Sequence, residues 1–82
     1  MTTLADRVGR AYKRITRSTS AHGSIEWLRK RSGLDVNRSS FHEWVKYDRV
    51  PPGRAEAFYA ALDAAEDEAT ELLKAQIKEL RG

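Results

Sequence analysis

The sequence contains no cysteine. Disulfides are therefore excluded, and so is any zinc site built on thiolates. With two histidines in the whole chain, His22 and His42, a metal centre of any common type is not expected. No apolar run approaches the ~20 residues that span a bilayer. The first ten residues, MTTLADRVGR, carry Asp6, Arg7 and Arg10 and have neither the apolar core of a secretory signal nor that of an anchor. The expected setting is the cytoplasm, in association with the nucleoid. Strand-like alternation, internal repeats and low-complexity segments are absent too. At 82 residues the chain offers one small core and little room for an enclosed catalytic cleft.

What is present is charge, unevenly placed. Residues 1–54 hold twelve Lys or Arg against five Asp or Glu, a balance of +7. Residues 55–82 hold three against seven, a balance of −4. A basic body suggests a polyanionic partner, and an acidic final segment suggests a different task.

The chain reads as all-α, with four or five helices. Residues 3 to about 17 form the first. Thr3 and Asp6 have the spacing of a capping box, and Leu4, Val8, Tyr12 and Ile15 recur at helical intervals. Arg7, Arg10, Lys13, Arg14 and Arg17 occupy the rest of its circumference. After the polar loop STSAHGS, Ser24 is expected to cap a second helix running to about Ser32. Its inward residues are Ile25 and Leu28, with Trp27 flanking. Gly33 suits a left-handed cap. Leu34 and Val36 should tuck into the core, and Asn37 should cap a third helix. Pro51 and Pro52 end that helix and open a fourth near Pro52. The fourth has Ala55, Phe58, Tyr59 and Leu62 inward. Asp63-Ala-Ala-Glu66 has the form of a second capping box and predicts a break near Asp63. The alternative is one helix from 52 to about 80.

The third helix, within NRSSFHEWVKY, carries the functional argument. On a helical wheel Phe41, Trp44 and Val45 cluster on one side. Ser39, Glu43 and Lys46 lie opposite, with Arg38 and His42 on a flank. Helix, glycine-centred turn and helix over residues 24–47 make a helix-turn-helix, whose second helix enters the major groove of DNA. Small Ser39 and Ser40 permit close approach. Arg38, His42 and Lys46 supply reach, Arg and His to guanine acceptors, and Glu43 can accept from cytosine. Candidate base contacts are therefore Asn37, Arg38, Ser39, His42, Glu43 and Lys46. Candidate phosphate contacts are Ser24, through the amides that open the second helix, Ser40, and the cations Arg14, Arg17, Arg49 and Arg54. If about five engage phosphates per subunit, the slope of log K against log salt is roughly −4 to −5. A Ser-His hydrolase is not expected, since Ser39, Ser40 and His42 have no orienting acid or oxyanion hole beside them.

SIEWLRKRSG followed by NRSSFHEWVKYDRVPPGRAEAFYAAL resembles the lambda-repressor and Cro-like (Xre-type) helix-turn-helix domains of phages and bacteria. The resemblance covers about residues 24–62. It rests on the Leu28-to-Gly33 spacing, Phe41 three residues before Trp44, a basic turn ending in Pro51, and Ala60-Ala61-Leu62. It implies that Asn37, Arg38, Ser39 and His42 face base edges and that the protein binds an operator as a dimer. This chain departs from the family pattern in two places. Arg29 stands where a small residue is usual, and the interval from Gly33 to Trp44 is about two residues longer.

The expected organisation is a DNA-binding unit over residues 1–62 and a dimerising C-terminal helix over 63–82. Leu62, Ala65, Ala69, Leu72, Gln76 and Leu80 form a stripe too long for a small monomer to bury, and the alanines allow close helix approach. The alternative is that this segment folds back to complete the core. The expected function is a phage-type transcriptional repressor that occludes an operator on double-stranded DNA as a homodimer, with no enzymatic activity and no cofactor. Two rivals stand beside it. One is a phage protein-interaction module that inhibits a host protein with the same fold. The other is an architectural or excision factor that bends DNA.

Overall fold

A computed structural model describes residues 2–81. It contains four helices and, among the described residues, no strand: α1 (Leu4–Thr16), α2 (Ser24–Ser32), α3 (Arg38–Lys46) and α4 (Pro52–Arg81). No helix is long and apolar enough to cross a membrane.

Two of the helices, α1 and α3, begin where side-chain chemistry supplies a partner for orphan amides. At α1 the capping box forms as the spacing predicts. The Asp6 amide donates to Thr3 Oγ1 at 3.2 Å, and the Thr3 amide donates to Asp6 Oδ2 at 3.4 Å. A further partner comes from far along the chain. The Leu4 amide donates to Asp48 Oδ1 at 3.2 Å, which sets a carboxylate at the positive end of the α1 dipole. Asp48 reaches it from a left-handed backbone conformation, φ 58°. At α3 Asn37 caps as predicted, its Oδ1 accepting from the Ser40 amide at 2.7 Å. Gly33 ends α2 at φ 69°.

The start of α2 differs from expectation. Gly23, at φ 86°, occupies the cap position and makes no side-chain cap hydrogen bond. Ser24 is the first helical residue and is buried, and its amide donates to the Ala21 carbonyl at 3.0 Å. Gly9, inside α1, has a reason of its own. A Cβ there would stand 3.2 Å from the Ala21 side chain, so the missing side chain lets the α1–α2 loop lie close against the helix.

The core is built from Leu4, Val8, Leu28, Phe41, Val45, Phe58 and Leu62, with Ile25, Trp27, Leu34, Val36 and Trp44 packed around it. Phe41, Trp44 and Phe58 form an aromatic cluster. Their ring centroids are 5.3 Å apart for Phe41–Phe58, 5.6 Å for Phe41–Trp44 and 6.4 Å for Trp44–Phe58. These offsets are the favoured tilted and edge-on arrangements. Tyr12 leaves the predicted inward stripe for an edge-on contact with Trp27 at 5.5 Å, and Ala11 is buried in its place. Tyr59, expected inside, lies at the surface against the edge of Phe58.

The predicted break near Asp63 does not occur: α4 is one helix of 30 residues. Asp63 and Glu66 do not cap anything. Both carboxylates instead receive hydrogen bonds from Arg7 of α1, Glu66 Oε2 at 3.0 Å and Asp63 Oδ1 at 3.3 Å. The intervening Ala64 and Ala65 favour helix, so no local feature ends it. Ala65 and Ala69 are buried, which carries the core about two turns past Leu62. Beyond them the helix projects. Leu72, Leu73 and Ile77 are partly exposed and Leu80 is 88% exposed.

Most of the acidic residues of the last segment fall between 63 and 71, around the end of the core, and four of them are paired. Asp63 and Glu66 pair with Arg7, Glu68 with Arg31, and Glu71 with Lys74.

Candidate nucleic-acid interface

The apolar side of α3 fixes the direction of its polar side. Phe41 and Val45 are fully buried and Trp44 is half-buried. Arg38, Ser39, His42, Glu43 and Lys46 are therefore exposed together, and with Tyr47 they line one shallow depression. A second depression continues from it, lined by Glu43, Trp44, Tyr47 and Arg49. Lys46 Nζ lies 5.4 Å over the Tyr47 ring, a cation–π contact that steadies a long side chain. Tyr47 is 66% exposed. Sequence reasoning placed it only as the end of the helix. Its signal, an aromatic residue between two cations just after the helix, was present in the chain.

Other predicted residues are placed differently. Asn37 is exposed, but its carboxamide oxygen is committed to the cap, which leaves the NH2 group for any further partner. Ser40 is half-buried, off the exposed stripe. Arg54 is exposed in the first turn of α4, where its amide donates to the Pro51 carbonyl at 2.9 Å. Ser24 is buried and its amide is already bonded to Ala21, so that amide is not free at the opening of α2. Arg14 and Arg17 are not brought to α3. They line a depression with Arg10, Lys13, Ser18 and Gln76. Gln76 lies about 27 Å along α4 from Phe58, the residue that α3 packs on, at 1.5 Å per residue.

An unpredicted group controls the flank of α3. Glu26 of α2 accepts two hydrogen bonds from Arg29, at 2.7 and 2.8 Å, and lies 3.9 Å from Arg38 Nε. The Arg29 hydrogen bonds hold the Glu26 carboxyl below the usual carboxylate range, and the charges of Arg29, Arg38 and Lys30 add to the effect. A depressed carboxyl pKa stabilises the fold at neutral pH, and that contribution is lost as pH falls through the lowered value. Arg29 also donates to the Val36 carbonyl at 3.3 Å. Position 29 and the 34–36 turn are thus in contact. A long cation at position 29 reaches the carbonyl of that turn, which a small residue does not do. These groups border an open cleft of about 240 Å³ between the start of α2 and the start of α3, lined also by His22, Phe41 and His42. Among the described residues no three His, Asp or Glu side chains are grouped to hold a metal ion.

No protein-family model matches the chain, and no curated protein or solved structure matches it.

Arg38 is 79% exposed and held only loosely by Glu26. Removing the carboxylate should therefore release cationic charge toward an anionic ligand. Glu26→Gln is expected to raise affinity for duplex DNA about two- to five-fold at low ionic strength, with the gain fading as salt rises. Fluorescence anisotropy over a salt series measures this.

Proposed function

We propose that the protein is a sequence-specific DNA-binding protein that represses transcription by occupying an operator as a dimer. One observation carries the reading. The polar face of α3 is exposed as a unit and contains donors, acceptors and small residues, while the opposite face is locked into the core by Phe41, Trp44 and Val45. A helix held so firmly can be inserted into the major groove without losing its own packing. Its residues suit base edges: Arg38 for a bidentate contact to guanine, His42 and Lys46 for guanine acceptors, Glu43 for a cytosine amine, and Ser39 for close approach. Arg49 and Arg54 follow the helix and suit the phosphates that flank the groove. The succession of α2, a Gly33 turn and α3 supports the same assignment, as does the resemblance of residues 24–62 to Xre-type domains.

Pairing of two copies is assigned to the projecting part of α4. Leu73, Ile77 and Leu80 recur at intervals of four and three, the seam spacing of a two-helix coil. The monomer leaves them partly or wholly exposed. Two copies would set two α3 helices against two half-sites.

Arg38→Ala is expected to cost about 1–3 kcal/mol of discrimination between the preferred duplex and a mismatched one. Arg54→Ala is expected to weaken both duplexes alike. Competition binding with the two duplexes measures the difference, and a uniform loss in both variants contradicts the assignment of Arg38 to a base. For the tail, Leu73→Lys combined with Ile77→Lys should give a monomer by sedimentation with its helix content retained. A dimer of unchanged stability would refute the role of this stripe.

A further inference from the structure

The basic face of α1 is left without a task by the reading above. Arg10, Lys13, Arg14 and Arg17 are all exposed. With Ser18 and Gln76 they line an open depression between α1 and the outer part of α4. The ion pairs among the described residues engage Arg7, Arg29, Arg31, Arg38 and Lys74, and none of these four. No carboxylate lines this depression, and Glu66, which shares an adjoining one with Arg10 and Arg14, is bonded to Arg7. Four uncompensated cations within two helical turns repel one another. Each loses that repulsion when an anion binds.

The direction of this face follows from its neighbours. Tyr12 and Gly9 mark the side of α1 turned toward α2, through Trp27 and Ala21. At about 100° per residue the four cations centre roughly 150° around the helix from Tyr12. They also sit at the far end of α1. Leu4 meets Asp48 just past α3, and Arg17 lies about 20 Å further along the axis. A duplex seated on α3 leaves this surface uncovered.

We propose that Arg10, Lys13, Arg14 and Arg17 form a second, sequence-independent phosphate-binding surface that takes the backbone of a second duplex segment while α3 holds the first. The proposal rests on the α3 reading given above. The lining argues for nucleic acid over an acidic protein. It consists of guanidinium, ammonium, hydroxyl and carboxamide groups, and it lacks the aromatic or aliphatic anchor around which protein interfaces are built. Long cations with no shape-defined pocket recognise phosphates and read no sequence. The consequence is a protein that joins two DNA segments at one protomer.

The test counts duplexes per protomer by sedimentation at low salt of a short labelled duplex that carries one half-site and is too short for two α3 helices. It uses the wild-type chain, the variant Arg10→Gln/Lys13→Gln/Arg14→Gln/Arg17→Gln, and the variant Arg38→Ala/Lys46→Ala. The substitutions are exposed, and circular dichroism checks that both variants keep their helix content. The wild type is expected to bind two duplexes per protomer. The α1 variant is expected to bind one with its sequence preference intact, and the salt slope of the lost event should be roughly −3 to −4. The α3 variant should keep one duplex without preference. A wild type that binds one duplex, or an α1 variant that still binds two, overturns the proposal and leaves the α3 reading standing. Full sequence preference in the α3 variant sinks the α3 reading, and this proposal with it. Poly-glutamate held by the α1 face in the α3 variant, with no duplex held there, also overturns the proposal, in favour of an acidic protein partner.

Discussion

The contact of Phe41 with Phe58, backed by Trp44, fastens α3 to α4. Both phenylalanines are fully buried, and losing a buried phenylalanine costs about 3–5 kcal/mol. An exposed ion pair such as Arg31–Glu68 contributes about 0–1 kcal/mol. The aromatic cluster therefore outweighs any single charged contact in deciding how α3 sits. Its position then decides which residues reach solvent. Because Phe41 and Val45 point inward, Arg38, Ser39, His42, Glu43 and Lys46 point outward as a set. The candidate site is the reverse side of the core.

Charged contacts set details that the core leaves open. Arg29 ties Glu26 of α2 to the Val36 carbonyl before α3, and so braces the turn between the two helices. Arg7 draws Asp63 and Glu66 onto α1. There α4 runs unbroken past the point where a capping-box pattern predicts a break. Asp48 ties the exit of α3 to the first turn of α1. Two of these contacts, those of Arg29 and Asp48, give a side-chain partner to a backbone group at a turn or a helix end. Among the exposed cations outside every ion pair of the described residues, two groups stand out. Lys46, Arg49 and Arg54 are on or just after α3, and the other group lies along α1.

Local signals in the chain were reliable wherever a few neighbouring residues settle the outcome. The Thr3–Asp6 box, the Gly33 turn, the Asn37 cap, the Pro52 start and the buried face of α3 all stand as the sequence predicts. Expectations failed where a distant partner decides. Asp63 and Glu66 look like a cap until Arg7 is placed beside them. Ser24 looks like a cap until the loop folds back on Gly9 and buries it. Arg14 and Arg17 share a charge sign with Arg49 and Arg54, and nothing in the sequence says that they end up beside Gln76. For the candidate site, residue identity and the buried face were legible. The flanking carboxylate Glu26 was not, because it acquires its meaning from Arg38, brought near by packing.

The central claim is that the outer face of α3 meets DNA. Amide chemical-shift mapping during titration with duplex, at ionic strength high enough to suppress weak phosphate contacts, tests it most directly. The largest changes are expected from Arg38 to Tyr47, with smaller ones at Arg49 and Arg54. Changes confined to α1 and the outer part of α4, with the amides of α3 unmoved at saturation, would contradict it.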